Sequence, residues 1–164
     1  MSTGTYFNQM LECGGQHNQW VQNALHYYLP PEVLDEYKEK LVFISTAHID
    51  ACRVARQYCE KREVIILSER ILPKPGMSES HTAVRYFIFC VLHEIAHAVK
   101  NHKSPKFDKL SPEEFELQEK EADTIAMQWF NEGIEKRNNK FLKPLTMEEV
   151  KAKQDINIQL MKEK

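Results

Sequence analysis

The chain has 164 residues, of which 42% are hydrophobic and 28% charged, and its mean hydropathy is -0.55. This composition suits a soluble globular protein and excludes both an intrinsically disordered chain and one embedded in a membrane. Twenty-two basic and 24 acidic residues give a net charge of -2. The broad cationic surface that binds nucleic-acid phosphates is therefore missing, and we expect neither nucleic acid nor a membrane as a direct partner.

Targeting and domain signals are equally sparse in the sequence. The N-terminal residues contain no basic cluster followed by an apolar run, and no stretch of about 18 uninterrupted apolar residues occurs. We therefore expect a cytoplasmic protein. No internal repeat or flexible linker divides the sequence, so residues 1–164 are predicted to form a single domain. The four cysteines lack CxxC spacing and are expected to be free thiols.

The first half of the sequence predicts two helices and two strands. Apolar residues recur at helical spacing over 20–28, and a pair of prolines opens a second short helix over 31–39. Apolar runs rich in β-branched residues at 41–44 and 64–67 have the length of strands. The intervening residues 47–62 fit either a helix or a third strand.

The second half predicts three helices. Residues 80–101 are apolar nearly all round, which is typical of a helix at the centre of a domain. The Ser-Pro-Glu-Glu sequence that opens 111–133 combines an N-cap, a first-turn proline and a capping box. A similar Thr-Met-Glu-Glu sequence opens a final helix over 146–161, whose apolar stripe is thin.

The predicted central helix contains the sequence HEIAH at residues 93–97. Residues four apart on an α-helix differ by about 40° in azimuth and about 6 Å in height, so His93 and His97 project from one face and can hold one metal ion. Glu94 lies about 100° around the helix from His93, where it can reach a metal-bound water without being a ligand. Such polar residues are costly in so apolar a helix unless a metal or hydrogen bonds satisfy them. A pair of hydrogen-bonded core histidines is the alternative.

A catalytic zinc site has three protein ligands and a water, so a third ligand must come from another element. On the predicted helix 111–133, Glu119 and Asp123 share one face because they are four residues apart. Glu119 is the predicted third ligand. Asp123 is predicted to accept the free ring N–H of a ligating histidine, which fixes its tautomer. The alternative is that this charged stretch is solvent-exposed helix surface.

HEIAH followed by EKEAD resembles the HExxH and ExxAD pair of the gluzincin metallopeptidases, and the small size resembles ImmA/IrrE-like and minimal gluzincin domains. The resemblance covers about residues 64–130. It implies that His93, His97 and Glu119 bind zinc. It also implies that Glu94 is the general base and that Asp123 supports the first histidine. It also implies an edge strand at 64–68, ahead of the active-site helix, against which an extended peptide lies.

Another histidine, His102, lies just beyond this motif. The HExxHxxGxxH motif of metzincins is not matched, since Lys100 and Lys103 occupy its glycine and last-histidine positions. His102 is an alternative third ligand only if the helix ends just after His97, as in SprT-like proteins. On a continuous helix it lies about 140° from His97. We therefore expect His102 on the surface near the helix end, where positive charge is favoured.

These features predict an α+β fold of zincin type. A small mixed β-sheet packs on the active-site helix and a second ligand-bearing helix, with extra N- and C-terminal helices. The predicted function is a zinc-dependent metallopeptidase that hydrolyses peptide bonds of a protein or peptide substrate through a metal-activated water, with Glu94 as general base. The alternative is a zinc-binding regulatory or interaction module without general proteolytic activity. No pattern in the sequence points to an oligomeric state.

Overall fold

The computed structural model describes residues 11–12, 15–46, 52–54 and 61–162. Its strands are β1 (Leu11–Glu12), β2 (Leu41–Thr46), β3 (Cys52–Val54) and β4 (Glu63–Ser68). Its α-helices are α1 (Gly15–Asn23), α2 (Pro31–Tyr37), α3 (Thr82–Val99), α4 (Pro112–Arg137) and α5 (Met147–Lys162). A π-helical segment, Ala24–Tyr28, continues α1, and a short 3-10 turn, Glu69–Ile71, follows β4. Each predicted helix is therefore present, and the fold is mixed α+β.

The described strands form one mixed sheet in the order β1-β2-β4-β3. β2 runs parallel to both β1 and β4, whereas β3 runs antiparallel to β4. The two strands predicted from their β-branched runs, β2 and β4, are the central pair. The undecided stretch 47–62 contributes the strand β3, while 47–51 and 55–60 lie outside the described residues.

One face of the sheet is covered by helix. Phe43 of β2 pairs in register with Ile65 of β4, and both side chains are fully buried, as are Leu41 and Leu67 on the same face. This alternation is the period-two pattern of a strand with one buried side. The helix that packs against this side of the domain is α3.

Helix α3 is the core of the domain, because 13 of its 18 residues are buried. It is long and apolar enough to cross a membrane by length and composition alone, yet 72% of it is buried inside the fold. A helix covered by its own fold in this way has the burial of a central core helix. The sequence-based prediction of a central helix over 80–101 is confirmed.

Helix α4 begins at the predicted capping box and packs along α3. Ser111 Oγ accepts from Glu114 N at 3.1 Å, and Glu114 Oε2 accepts from Ser111 N at 2.9 Å. The predicted end near Gly133 is wrong, because α4 continues to Arg137 and is capped by Asn138 at φ 46°. Gly133 is instead a point of close helix approach. A Cβ added there would lie 2.6 Å from Tyr28 Cδ1.

The C-terminal helix α5 is attached through a buried arginine. Arg85 of α3 donates to Lys143 O at 3.2 Å and to Pro144 O, and its guanidinium lies 3.2 Å from Glu149 Oε1. Glu149 also closes the predicted capping box, accepting from Thr146 N at 3.0 Å. The start of α5 is therefore firmly held.

Candidate metal centre

Two histidines of α3 and one glutamate of α4 meet where these helices pack. The Nε2 atoms of His93 and His97 lie 3.0 Å apart. Glu119 Oε2 lies 3.5 Å from His93 Nε2, and Glu119 Oε1 lies 3.3 Å from His97 Nε2. Ligand atoms from all three side chains lie within 4.8 Å of one another. The structure thus brings together the three residues that the sequence singled out, and the cluster can bind a metal ion.

The spacing of these atoms fits a tetrahedral ion. Ligand atoms about 2.0–2.1 Å from a tetrahedral metal lie about 3.3 Å from one another. The separations between the two imidazoles and between each imidazole and the carboxylate are 3.0, 3.5 and 3.3 Å. Two imidazole nitrogens facing each other at this distance need a proton or a cation between them. The residues present therefore fit a divalent metal.

The two helices can place the ligands so closely because small residues line their contact. Ala122 and Ala126 of α4 are fully buried, as is Ala96 of α3. Glu119 precedes Ala122 by one helical turn, and its side chain remains 37% exposed. The cluster therefore lies at the rim of the helix interface, with the histidines on the buried side and the carboxylate closer to solvent.

The electrostatics of the cluster favour a bound cation. Burial lowers the pKa of His93, but hydrogen bonds with Asp123 and Glu119 outweigh it and raise the pKa to about 10. Burial raises the pKa of Glu119, but hydrogen bonds with His93 and His97 outweigh it and bring the pKa to about 2. The carboxylates therefore hold positive charge at this point of the protein.

Asp123 supports the first histidine at its other ring nitrogen. Its Oδ1 lies 2.9 Å from His93 Nδ1, and both atoms are shielded from solvent. Neither atom has another hydrogen-bond partner in the described parts of the chain. A carboxylate at Nδ1 favours the tautomer of His93 whose Nε2 lone pair points into the cluster. Asp123 is therefore where the sequence predicted a supporting carboxylate.

Glu94 faces a cavity of about 200 Å³ beside the cluster. The cavity is lined by residues from β3, α3, α4 and the connection between these helices, among them Arg53, His97, Lys106, Phe115 and Glu119. Burial raises the pKa of Glu94 to about 7, against the opposing charge of His93. A buried carboxyl beside a candidate metal cluster, with its pKa near neutrality, suits proton transfer.

His102 occupies a position that sequence reasoning missed. Helix α3 ends at Val99, and Asn101 adopts the left-handed conformation with φ 52°. Asn101 N donates to Ala98 O at 3.1 Å, and His102 N donates to His97 O at 3.0 Å. These two bonds define a Schellman motif, which folds the chain back on the last helical turn.

The expected surface location of His102 is therefore wrong, because the helix does not continue. His102 is buried, and its Nδ1 lies 2.8 Å from Nδ1 of His97. It contacts the ring nitrogen of His97 that faces away from the cluster, so it is not placed as a third ligand. An asparagine just after the last apolar helical residue is the signal that predicts such a turn.

Arg53 fastens this helix end to the sheet. Its Nη1 donates to His97 O at 2.8 Å, and its guanidinium also donates to His102 O. The same guanidinium lies 3.4 Å from the buried carboxylate of Glu63. Arg53 belongs to β3, which borders the cavity. The sequence offered no sign of this role.

The expected edge strand at 64–68 is also wrong. β4 pairs with β2 along all six of its residues and with β3 at Val64, Ile65 and Ile66. The strand at the margin of the described sheet on this side is β3. An extended peptide that adds to the sheet beside α3 would therefore pair with β3.

Taken together, the fold and the cluster define an α+β protein with a candidate metal site between two packed helices. The family model of Peptidase U49 matches residues 46–156, more than half of the 164-residue chain. The chain therefore belongs to the Peptidase U49 family, and this membership points to a proteolytic function. No curated protein and no solved structure matches the chain significantly.

Proposed function

We infer that this member of the Peptidase U49 family is a zinc-dependent metallopeptidase of the gluzincin type, acting on a protein or peptide substrate. The observation that carries this inference is the meeting of His93, His97 and Glu119 at separations of 3.0 to 3.5 Å. The set of two imidazoles and one carboxylate is a known catalytic zinc site. It coincides with the HExxH and ExxAD pattern of the sequence and with membership of a peptidase family.

Under this proposal each residue of the centre has a separate task. His93 and His97 bind zinc through Nε2, and Glu119 binds it through its carboxylate. Asp123 keeps His93 in the required tautomer through the 2.9 Å contact at Nδ1. When bound, zinc supplies Lewis-acid activation of a water molecule and of the substrate carbonyl.

Glu94 moves the proton. Its carboxyl lines the cavity that His97 and Glu119 also line, so it faces the open side of the centre. As general base it takes a proton from the attacking water, and as general acid it returns that proton to the departing amine. Its low exposure of 7% strengthens electrostatic interactions in the site because little water screens them.

The surroundings of the centre orient the substrate. Phe115 is 42% exposed and lines the cavity together with the cationic Lys106. The substrate backbone can follow β3, which lies at the margin of the described sheet.

Two measurements on the same preparation test the proposal. The first is the metal content of protein purified without added zinc, and the second is cleavage of a proteome-derived peptide library with and without a chelator. We expect one zinc per chain. We also expect cleavage of the library, which the chelator abolishes and added zinc restores. Zinc binding without cleavage by any preparation would instead favour a regulatory or interaction module, and the absence of bound metal would overturn the proposed centre.

Glu119→Ala with Glu116→Ala as its control tests the ligand set. Both residues lie on α4, but Glu116 is exposed and lies outside the cluster. Loss of zinc in the Glu119 variant alone is the expected result. Equal retention of zinc by both variants would remove Glu119 from the ligand set.

A further inference from the structure

We propose that His102 is a positioning residue of the metal centre, which accepts a hydrogen bond from Nδ1–H of His97 and thereby holds His97 with its Nε2 lone pair toward the metal. The inference rests on the proposed function, because it assumes that His97 binds zinc. It adds a group that neither the HExxH nor the ExxAD pattern contains.

The contact between the two rings is direct and buried. The Nδ1 atoms of His97 and His102 lie 2.8 Å apart, and the ring centroids lie 4.9 Å apart at an interplanar angle of 72°. Both residues are 8% exposed. Only one proton fits between two nitrogens at this distance, so one ring donates and the other accepts.

The far side of His102 decides which ring donates. His102 Nε2 lies 3.0 Å from Glu121 Oε2. An ionised carboxylate can only accept, so Nε2 of His102 carries the proton and its Nδ1 has the free lone pair. His97 must then donate from Nδ1, and its Nε2 is left unprotonated. That nitrogen is the one facing His93 and Glu119.

Glu121 is held in turn by a lysine. Lys100 Nζ lies 2.8 Å from Glu121 Oε1, so the two carboxylate oxygens have one partner each. Lys100 is the residue that caps α3, and Glu121 lies on α4. The hydrogen-bonded series therefore runs from the surface ion pair through His102 to His97.

The backbone fixes the geometry of this series. His102 is the second residue beyond the C-cap of a Schellman motif, the position whose side chain ordinarily makes an apolar contact with the last turn of the helix. Here that contact is a hydrogen bond between two imidazoles. Arg53 donates to the backbone carbonyls of both His97 and His102, so the backbone segments that carry the two rings are held together.

The two histidine ligands are thus supported in different ways. Asp123 contacts Nδ1 of His93 directly, at 2.9 Å. Glu121 acts on Nδ1 of His97 through the ring of His102. Partners of this kind raise the basicity of a ligating imidazole and restrict its orientation, and removing one typically weakens metal affinity by about 10- to 100-fold.

The test compares His102→Leu with His102→Gln in full-length protein. Leucine fills the space but has no acceptor, whereas the glutamine amide can accept from His97 and donate to Glu121. Zinc affinity is measured by competition with a chromogenic chelator on metal-free protein. We expect His102→Leu to weaken zinc binding by about 10-fold or more, and His102→Gln to stay within about threefold of the parent.

Two further variants separate positioning from folding. Lys109→Leu places the same apolar side chain at an exposed site in the connection between α3 and α4, and it should leave zinc affinity unchanged. Glu121→Leu removes the far end of the series from a side chain that is 42% exposed. Glu121→Leu should weaken zinc binding even if His102→Leu fails to fold. Circular dichroism of the metal-free proteins shows whether each variant is folded.

Nitrogen-15 NMR of the zinc-loaded parent gives a readout that packing alone would not change. The proton between the rings is expected on Nδ1 of His97, with Nδ1 of His102 unprotonated. A proton on Nδ1 of His102 would overturn the inference. So would parental zinc affinity in a folded His102→Leu variant, or equal losses in the Leu and Gln variants. Absence of zinc binding by the parent would refute the proposed function itself.

Discussion

His93 Nδ1 lies 2.9 Å from Asp123 Oδ1, with both atoms shielded from solvent. Because this contact fixes the tautomer of His93, Asp123→Ala should weaken zinc affinity by about 10- to 100-fold. Asp123→Asn should lose less zinc affinity than Asp123→Ala, since the amide oxygen can still accept a hydrogen bond from Nδ1–H of His93. Chelator competition measures both, with Glu116→Ala as an exposed control on the same helix. An Ala variant that binds zinc as tightly as the parent would rule out the supporting role.

Glu94 is the side chain on which turnover should depend most. Glu94→Gln keeps the size of the residue but removes its ability to take a proton, so the cleavage rate should fall by about 10²- to 10⁴-fold. Metal content should stay at the parental level, because Glu94 is not in the ligand cluster. Rates and zinc content are measured on one sample, and Glu113→Gln on the exposed first turn of α4 is the control. Undiminished cleavage by the Gln variant would exclude Glu94 as the base.

Asn101 ends α3 with a φ of 52°, a conformation that side chains branched at Cβ strongly disfavour. Asn101→Val should lower the free energy of unfolding by about 1–2 kcal/mol, because asparagine tolerates this region whereas a β-branched residue is strained in it. Asn101→Gly should be at least as stable as the parent, since glycine is the commonest residue at the left-handed position after a helix C-cap. Urea unfolding of the metal-free proteins measures the difference. Equal stability of the Val and Gly variants would contradict the importance of this turn.

Gly133 lies against the π-helical segment that follows α1. A Cβ there would approach Tyr28 Cδ1 to 2.6 Å, Tyr27 O to 2.8 Å and Tyr28 Cα to 2.9 Å. Two of these are backbone atoms that cannot rotate away, so Gly133→Ala should destabilise the protein by about 1–3 kcal/mol. Helix propensity alone predicts the opposite, a gain of about 1 kcal/mol. Thermal unfolding of the parent and of Gly133→Ala distinguishes the two effects. A lower melting temperature of the variant supports the steric clash, and a higher one supports helix propensity.

Glu149 links the stability of the protein to pH at the start of α5. Burial raises the pKa of Glu149, but hydrogen bonds from Thr146 N and Arg85 outweigh it and hold the pKa below its usual value. The unfolded chain therefore binds this proton more readily. The stabilisation from Glu149 is complete above the unfolded pKa of about 4.3 and is lost as pH falls through the folded value.

Glu149→Gln should accordingly be less stable than the parent at pH 7, and the difference should shrink as the pH falls below the unfolded pKa of about 4.3 and the parental carboxyl takes up its proton. The difference at pH 7 should not exceed about 1 kcal/mol, because the side chain is 39% exposed and water screens its charge. Urea unfolding across this pH range tests the prediction, with Glu148→Gln as an exposed control. A difference that persists at low pH would mean that the carboxylate charge is not responsible.

Much of the centre could be predicted because it depends on local periodicity. The four-residue spacing of His93 and His97 holds on any α-helix, and so does the spacing of Glu119 and Asp123. Capping residues likewise specified where α4 begins. That the two helices bring these side chains together does not follow from periodicity. The resemblance to a two-part motif supplied that expectation.

The features that were missed depend on chain reversal and on contacts distant in sequence. The expected surface position of His102 holds only for a continuous helix, and a single left-handed residue, Asn101, ends the helix and turns the chain back. Arg53 reaches His97 O across 44 residues of sequence, in a stretch that gave no clear secondary-structure signal. Gly133 suggested a helix end in the sequence, whereas its role depends on Tyr28, which only the folded structure places beside it.

The three proposed ligands, the supporting Asp123 and the proposed base Glu94 all lie between residues 93 and 123, on two consecutive helices. Bringing them together requires the closure of only one short loop, residues 100–111, and local contacts of this kind cost little chain entropy and form early. The ligand set can therefore assemble in a helical hairpin before the parallel strands pair. A metal captured at that stage would favour the native hairpin over competing compact states and would guide the folding of the rest of the domain.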